Sequence, residues 1–446
     1  MKSDLIDSFY DRLSPLAKKD GLDFDLYAYN KDQTQITFQK KELKDYSCSQ
    51  SCHVNLRVLK GDKAGTSYAK DFSQSSLESC YKRAKDSLQF TDQKTAGRLS
   101  LSQVYQNSSD FYDKNFESIS LEDKLEKARE LNSACLTFDS RVQPVSSSVS
   151  DSSIVSAFVN SKEQKSSYFV NNIFAISYCL AVDKYSRSNG FENFHSRNYD
   201  SINFKKIGQQ SAEKAIKKLN YKIPQTKKYP VIFKSGQAVS ALLSSLVNLM
   251  SGKSIFEGKS LFKDSLDHQM FSNSFSLYDD PLALWGANSK TFDGEGFAVE
   301  KTILAEKGFL RNYLTSSFYA KALKAPHTKK AYWLDTGVLD ISGTNLVMSE
   351  GESSLGDLLS EFSQVVVIDY LKGFAGYNPI SGDFSIESEG FLYEWGEFKP
   401  ICQFTVSGNI IKLFSNILQV GNDSQIYAGS IKAPSFLSSD LMIAGK

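Results

Sequence analysis

Lys234-Ser235-Gly236-Gln237-Ala238-Val239-Ser240-Ala241-Leu242-Leu243-Ser244-Ser245-Leu246-Val247-Asn248-Leu249-Met250 is the stretch on which the fold turns. Val239, Leu242, Leu243, Leu246, Val247 and Met250 recur at i, i+3, i+4, i+7, i+8 and i+11, the period of an α-helix. No charged residue falls between Gln237 and Met250. A helix with so little polar surface must be covered on most sides, so this one predicts a buried helix in a large domain. The run Pro230-Val231-Ile232-Phe233 ahead of it reads as a strand, and Pro224 with the polar run to Lys228 marks a boundary. The expected C-terminal domain is therefore 226–446, strand-rich and built around this helix.

Working outward, Leu5, Ile6, Phe9, Leu13, Leu16 and Ala17 have helical spacing closed by Gly21. Strand patterns follow at Phe24 to Tyr29, Thr34 to Phe38 and His53 to Leu59, then a Gly61-Asp62 turn and a partner at Gly65 to Ala69. A helix with Leu77, Cys80, Tyr81, Ala84 and Leu88 completes a first unit, and Thr91 to Asp113 reads as a linker. The expected unit is 1–110. The second, 111–225, has a helix through Leu121, Leu125, Ala128, Leu131 and Cys135, strands at Ser152 to Asn160, Ser166 to Val170 and Phe174 to Val182, and a basic amphipathic helix from Lys205 to Leu219 with a solvated face. Both units show a strand, a turn rich in Asn, Lys and Gln, and another strand, the turns being Tyr29 to Gln33 and Val159 to Gln164. That parallel hints at duplication. The fold class is α+β: two small N-terminal units with antiparallel sheets, then the larger strand-rich domain.

The 446 residues are 41% hydrophobic, and 52 basic against 51 acidic residues leave a net charge of +1. No long-range field draws nucleic acid or an anionic membrane to such a chain. Acids occupy the start of the sequence, Met1 to Asp7, where a signal peptide needs an apolar run, and no window approaches a membrane span of about 20 apolar residues. Six cysteines in a chain this long fit the reducing cytoplasm. Cys48, Cys52 and His53 cluster, but Cys52, Val54, Leu56 and Val58 alternate with His53, Asn55 and Arg57 as a half-buried strand does, and His195, His268 and His327 stand apart.

Simple catalytic signatures are missing. Gly252-Lys253-Ser254 and Gly258-Lys259-Ser260 resemble the end of a phosphate-binding loop, yet Val247 and Lys253 stand where its first glycine belongs. Asp335-Thr336-Gly337 resembles half of an aspartic protease dyad, but one aspartate beside a glycine more commonly shapes a turn. Asp293 and Glu295 lie among glycines and read as a tight loop in the same way. No histidine has a His or Glu neighbour at metal-binding spacing.

Several segments together resemble the TldD/TldE (PmbA) family of two-subunit metallopeptidases, the TldE or PmbA branch in particular. They are Ser251 to Asp267, Phe292-Asp293-Gly294-Glu295-Gly296, Leu304 to Leu310, Gly382-Asp383-Phe384-Ser385 and Val420-Gly421-Asn422-Asp423. Gly61 to Gly65 and Asp71-Phe72-Ser73 agree with the family's first unit. The resemblance covers most of the chain, more loosely from about 90 to 220, and implies a three-part α+β fold and a dimer. In the active TldD-type subunit a helix carries His-Glu-x-x-x-His, and a cysteine near the C-terminus completes the zinc site. Laid on that motif, Gly236 and Ala241 stand at the two histidines, Gln237 at the glutamate and Ala428 at the cysteine. Glycine and alanine offer zinc no donor atom, and a neutral amide cannot take up a water proton as a carboxylate does.

The resemblance thus implies a chain with no catalytic residue, no metal and no cofactor of its own. It implies assembly with a TldD-type catalytic subunit, or with a second copy, around an unfolded or extended peptide, as in maturation of small modified peptides or turnover of unfolded antitoxins. Two other readings stand beside it. One is a hydrolase working through Asp335 or the pair Asp293 and Glu295. The other is a purely binding protein, such as the gyrase modulator for which part of the family is named.

Overall fold

The computed structural model describes residues 3–91, 96–101, 103–106, 109–373 and 375–446. The chain opens with α1 (Ser3–Asp20), β1 (Asp23–Gln39), β2 (Glu42–Lys60), β3 (Lys63–Ala69) and α2 (Gln74–Ser87). Part of the expected linker, residues 92–95, 102, 107 and 108, lies outside the described residues, and beyond it come α3 (Leu121–Leu136), β4 (Val142–Asn160), β5 (Lys165–Val182), β6 (Arg187–Ser196) and α4 (Phe204–Lys217). Ser73 and Ser120 cap α2 and α3, and Ser120 forms a capping box with Asp123.

These two units have the same element order, helix, three strands, helix, and share one antiparallel sheet ordered β3-β2-β1-β4-β5-β6. The repeat is real in its elements, but the two turns that hinted at it are not equivalent. Asn160 to Gln164 does turn, whereas Tyr29 to Gln33 lies inside β1. Each of those five residues is paired on both sides, Tyr29 with His53 and Ser156 at one end and Gln33 with Ser49 and Ser152 at the other. Two ladders of main-chain hydrogen bonds outweigh the low strand propensity of Asn30, Lys31 and Asp32. Likewise β5 runs unbroken through Asn171 and Asn172, and Asn171 is buried because its side chain bonds the Asp113 N–H and the Arg197 carbonyl. The pattern of β6, diluted by Asn189, Gly190 and Asn193, gave no strand signal. Gly190 is needed there, since a Cβ would meet the Ser211 carbonyl of α4 at 1.9 Å.

The C-terminal domain starts with β7 (Lys227–Phe233) and α5 (Gln237–Leu249). One sheet is ordered 397–409, 383–394, 364–371, β7, 436–444 and 417–420. Thr405 to Ser407 also pair with Met442 to Ala444, which closes five of these strands into a barrel. A second sheet is made of short strands at 309–310, 302–306, 277–279, 346–348, 431–433 and 425–427. Helix α5 lies in the apolar cluster uniting both sheets: Val239, Leu242, Leu243, Leu246, Val247 and Met250 pack with Val231, Phe233, Val366, Phe404 and Phe436. The apolar periodicity of α5 thus gives a buried helix as expected. Among the described residues no helix is long and apolar enough to cross a membrane.

Two buried arginines fasten the N-terminal sheet to this domain. Arg57 on β2 donates to Asp25 on β1 and to Glu295 Oε1 at 2.6 Å, while Arg197 donates to the carbonyls of Leu284 and Gly286.

Candidate functional site

Helix α5 starts at an unusual corner. Gly236 adopts φ 115° and ψ −133°, a conformation that side chains disfavour, and ends the three-residue link from β7. Ser235 holds that link: its N–H donates to Ser435 Oγ (2.8 Å), and its hydroxyl donates to the Ala433 carbonyl (2.6 Å) and accepts from the Gln425 N–H (3.0 Å). Gln237, the first helical residue, spans the end of the 364–371 strand. Its Oε1 accepts from the Leu371 N–H at 2.8 Å, and its Nε2 donates to the Leu371 carbonyl at 3.0 Å. The side chain thereby pairs with a main-chain unit as another strand would.

Gly236 and Gln237 line a cavity of about 600 Å³ between the C-terminal domain and the outer edge of the N-terminal sheet, where β5, β6 and α4 supply the facing wall. Ala428 follows Tyr427, which also lines it, and the Ala428 N–H donates to Asn193 Oδ1 on β6 at 2.9 Å. Ala241 is turned away from the cavity and packs, half-buried, against the apolar core. Three of the four positions matched to the zinc motif therefore gather at one rim, and the fourth lies a turn deeper.

Zinc does not fit these residues. Gly236 has no side chain, and although a Cβ there would meet nothing within 4 Å, its backbone conformation disfavours one. Ala241 and Ala428 carry only methyl groups. The Gln237 oxygen and nitrogen each bond Leu371, and a neutral carboxamide is a weak zinc donor, so these four residues offer no ligand set.

The cavity is lined by charge, much of it paired. Lys218, just past the end of α4, is buried with its amine 3.0 Å from Asp369 Oδ1 and 3.4 Å from Glu389 Oε2. Burial alone would lower its pKa, but the attraction of Asp369 and Glu389 raises it. Lys372 bonds Glu387 at 2.9 Å and Glu389 at 2.8 Å, and those bonds overcome desolvation to hold it above the ordinary lysine range. Lys214 pairs with Glu192 at 2.8 Å. Lys234 alone among these lining lysines has no ion pair with a described residue. Sequence reasoning placed Lys218 on a solvated face. No local signal marks it, because its acids lie 151 and 171 residues further on.

The other acids of interest sit elsewhere. Asp335 occupies an exposed turn between the paired segments Ala331–Trp333 and Leu339–Ile341, accepts from the Tyr29 hydroxyl at 2.7 Å and lies 3.9 Å from His53 Nδ1. Among the described residues no second carboxylate bonds it to share a proton. His53 is buried on β2 and stacks on Tyr29, as the strand reading of that segment expects.

Asp293 and Glu295 are fully buried, and with His327 they form the one group of potential metal ligands among the described residues. Every acid oxygen there already has donors. Asp293 accepts from the N–H groups of Glu295 (3.0 Å), Phe297 (2.9 Å) and Ala331 (3.4 Å). Glu295 accepts from Arg57, from the Ser317 hydroxyl (2.6 Å) and from the Ser317 N–H (2.7 Å). Arg98 stands 3.2 Å from His327 Nδ1, and since guanidinium only donates, the ring proton sits on Nε2, the atom facing Glu295 Oε2 at 3.8 Å. A protonated nitrogen and an arginine-bound carboxylate are poor metal ligands. Burial, with the Glu295 charge adding to it, pushes Asp293 up to about 7, and burial pulls His327 down to about 4. The arrangement is a buried latch between domains, in which the loop expected around Asp293 and Glu295 is held by its own main chain.

Models of the PmbA/TldA metallopeptidase domain 1, central domain and C-terminal domain match residues 24–88, 114–219 and 226–445. A metalloprotease PmbA homologue of Buchnera aphidicola is 28% identical over 268 residues, 60% of this chain and 57% of that protein. The PmbA homologue of Haemophilus influenzae is 23% identical over 434 residues, 96% of this chain and 94% of that one. Among solved structures, a Thermotoga maritima protein named for modulation of a DNA gyrase superposes with a TM-score of 0.90 at 26% identity, covering 98% of this chain and all of that one. TldE from Thermococcus kodakarensis gives 0.89 at 17% identity over 98% of this chain, a likeness of fold.

Proposed function

The chain belongs to the PmbA/TldD metallopeptidase family, and from that premise we propose that it is the zinc-free, non-catalytic TldE/PmbA-like subunit of a two-subunit peptidase. It takes an unfolded or extended peptide, and hydrolysis falls to a TldD-type partner chain. The observation that carries this reading is the double hydrogen bond between Gln237 and the Leu371 main chain. A general base needs a basic lone pair free to reach water. The neutral carboxamide at this position is not basic, and its two bonds give it a different task, fixing the start of α5 to the adjacent strand.

The absence of donors at Gly236, Ala241 and Ala428 supports the same reading, as does the persistence of the cavity around them. Its wall includes the strand segment Gln425 to Tyr427, so main-chain groups as well as charged side chains are at hand for an extended peptide. The six free cysteines agree with a reducing compartment, the cytoplasm.

The test combines this chain with a TldD-type chain and a denatured reporter peptide. Mass in solution distinguishes a heterodimer from a homodimer, and metal analysis of each purified chain locates any zinc. Cleavage is expected only in the mixture. Peptide cleavage by this chain alone, abolished by a chelator, overturns the proposal.

A further inference from the structure

A second interdomain cleft, of about 410 Å³, lies on the opposite part of the N-terminal sheet from the corner of α5. Strands β1, β4 and β5 form one wall, and the loop carrying Lys290 with the segment around Tyr332 forms the other. Aromatic rings dominate it: Tyr27, Tyr29, Tyr168, Tyr332 and Trp333 all contribute. The hydroxyls of Tyr27 and Tyr168 bond each other at 3.1 Å, and that of Tyr27 reaches Ser156 at 3.2 Å, so these two rings are held in place. The indole N–H of Trp333 is spent on the Gly294 carbonyl at 2.7 Å. What these residues present to the cleft is ring surface.

The charges are unbalanced. Lys31 and Lys290 both line the cleft, and neither side-chain amine makes a hydrogen bond or ion pair with a described residue. The acids close by are already engaged, Asp335 by the Tyr29 hydroxyl at 2.7 Å. Asp293 is held by three main-chain N–H groups, and Asp279 by the Thr344 N–H, the Thr344 hydroxyl and the buried Lys330 amine. Burial holds the Lys290 amine below the ordinary lysine range; Asp293 and Asp279 oppose that effect and Lys330 adds to it. A half-buried amine set among aromatic faces, with no ion pair of its own and its neighbouring acids spent on other donors, is a poor arrangement for its own stability and a good one for receiving a ligand.

We propose that this cleft binds a small ligand carrying an anionic group on a flat aromatic body, the anion meeting Lys290 and Lys31 and the ring lying against Tyr332 and Trp333. Nothing in the proposed peptidase role uses these residues, and the site is independent of the cavity at α5.

Pyridoxal 5′-phosphate followed by borohydride is a direct probe, because it combines a phosphate, a flat ring and an aldehyde. An unprotonated lysine amine adds to the aldehyde carbon, water leaves with the carbonyl oxygen, and borohydride delivers hydride to the resulting imine carbon while nitrogen takes a proton from water. The label is then fixed on the lysine and mapped by peptide mass. At limiting reagent Lys290 is expected to be labelled ahead of exposed lysines such as Lys217, and benzoate is expected to slow labelling of Lys290 several-fold while leaving Lys217 unchanged. Lys290→Met is expected to lose that label. Tyr332→Ala, which keeps the amine, is expected to weaken benzoate protection several-fold. Labelling with no preference for Lys290, or no protection by benzoate, overturns the site. Protection by inorganic phosphate equal to that by benzoate overturns the aromatic part.

Discussion

Gln237 and Leu371, 134 residues apart, are joined by two hydrogen bonds in which one carboxamide both accepts from and donates to a single residue's main chain. An ionised carboxylate, which only accepts, cannot do both. In Gln237→Glu the carboxylate keeps the Leu371 N–H but turns an oxygen toward the Leu371 carbonyl. A loss of about 1–3 kcal/mol is expected in urea unfolding, the usual cost of a polar group left unpaired. No peptide cleavage should accompany it. A variant as stable as the parent would show that the two bonds hold nothing.

Restoring the zinc motif at α5 is expected to fail for a backbone reason as well as a chemical one. Gly236 at φ 115° would make a histidine there strained by about 1–3 kcal/mol. Ala241 faces the core instead of the cavity. A Gly236→His and Ala241→His double variant should therefore unfold at lower denaturant and carry no stoichiometric zinc by metal analysis. Tight, stoichiometric zinc would show that the corner relaxes more readily than its geometry implies.

Lys218 holds together two acids, Asp369 and Glu389, across the boundary between α4 and the barrel. Lys218→Met leaves Asp369 without its cation and Glu389 with Lys372 alone, and about 3 kcal/mol of destabilisation is expected. Adding Asp369→Asn, which neutralises the acid left without a cation, should recover part of the loss. Calorimetry of the two variants measures the coupling, and no recovery would assign the loss to packing alone.

His327 provides a pH test. Burial lowers its pKa from 6.5 to about 4 in the folded chain, so as acid is added the unfolded chain takes up the proton first. The stability that goes with the neutral ring is fully present above pH 6.5 and is lost as pH falls toward 4. Asp293, raised to about 7, acts with the opposite sign, its contribution being lost as pH rises, but it remains in both proteins compared. Relative to His327→Gln, the parent should lose about 2 kcal/mol between about pH 7.5 and about pH 5. Parallel unfolding curves for the two proteins across that range would contradict the assignment.

Much of the fold was legible because it rests on local periodicity. The spacing of Val239, Leu242, Leu243 and Leu246 gave a buried helix, and the alternation from Cys52 to Val58 gave a strand in place of a metal cluster. Tyr29 to Gln33 was misread as a turn because strand propensity is local, whereas its pairing with β2 and β4 is not. Gly190 hid β6 for a related reason: the residue that weakens the strand pattern is the one that lets α4 approach.

By itself the sequence determined which atoms are available. With glycine, glutamine and two alanines at the four positions that the family resemblance lays on the zinc motif, no arrangement of the chain can supply a histidine, carboxylate or thiolate from those residues. Tertiary structure decided what the remaining atoms do. It set Gln237 against Leu371, buried Lys218 between Asp369 and Glu389, ran Arg57 into Glu295 across 238 residues, and left the Lys290 amine in an aromatic cleft with no ion pair to a described residue. Those relationships depend on which distant segments the sheets bring together, and a polar residue carries no periodic signal of the partner that folding will give it.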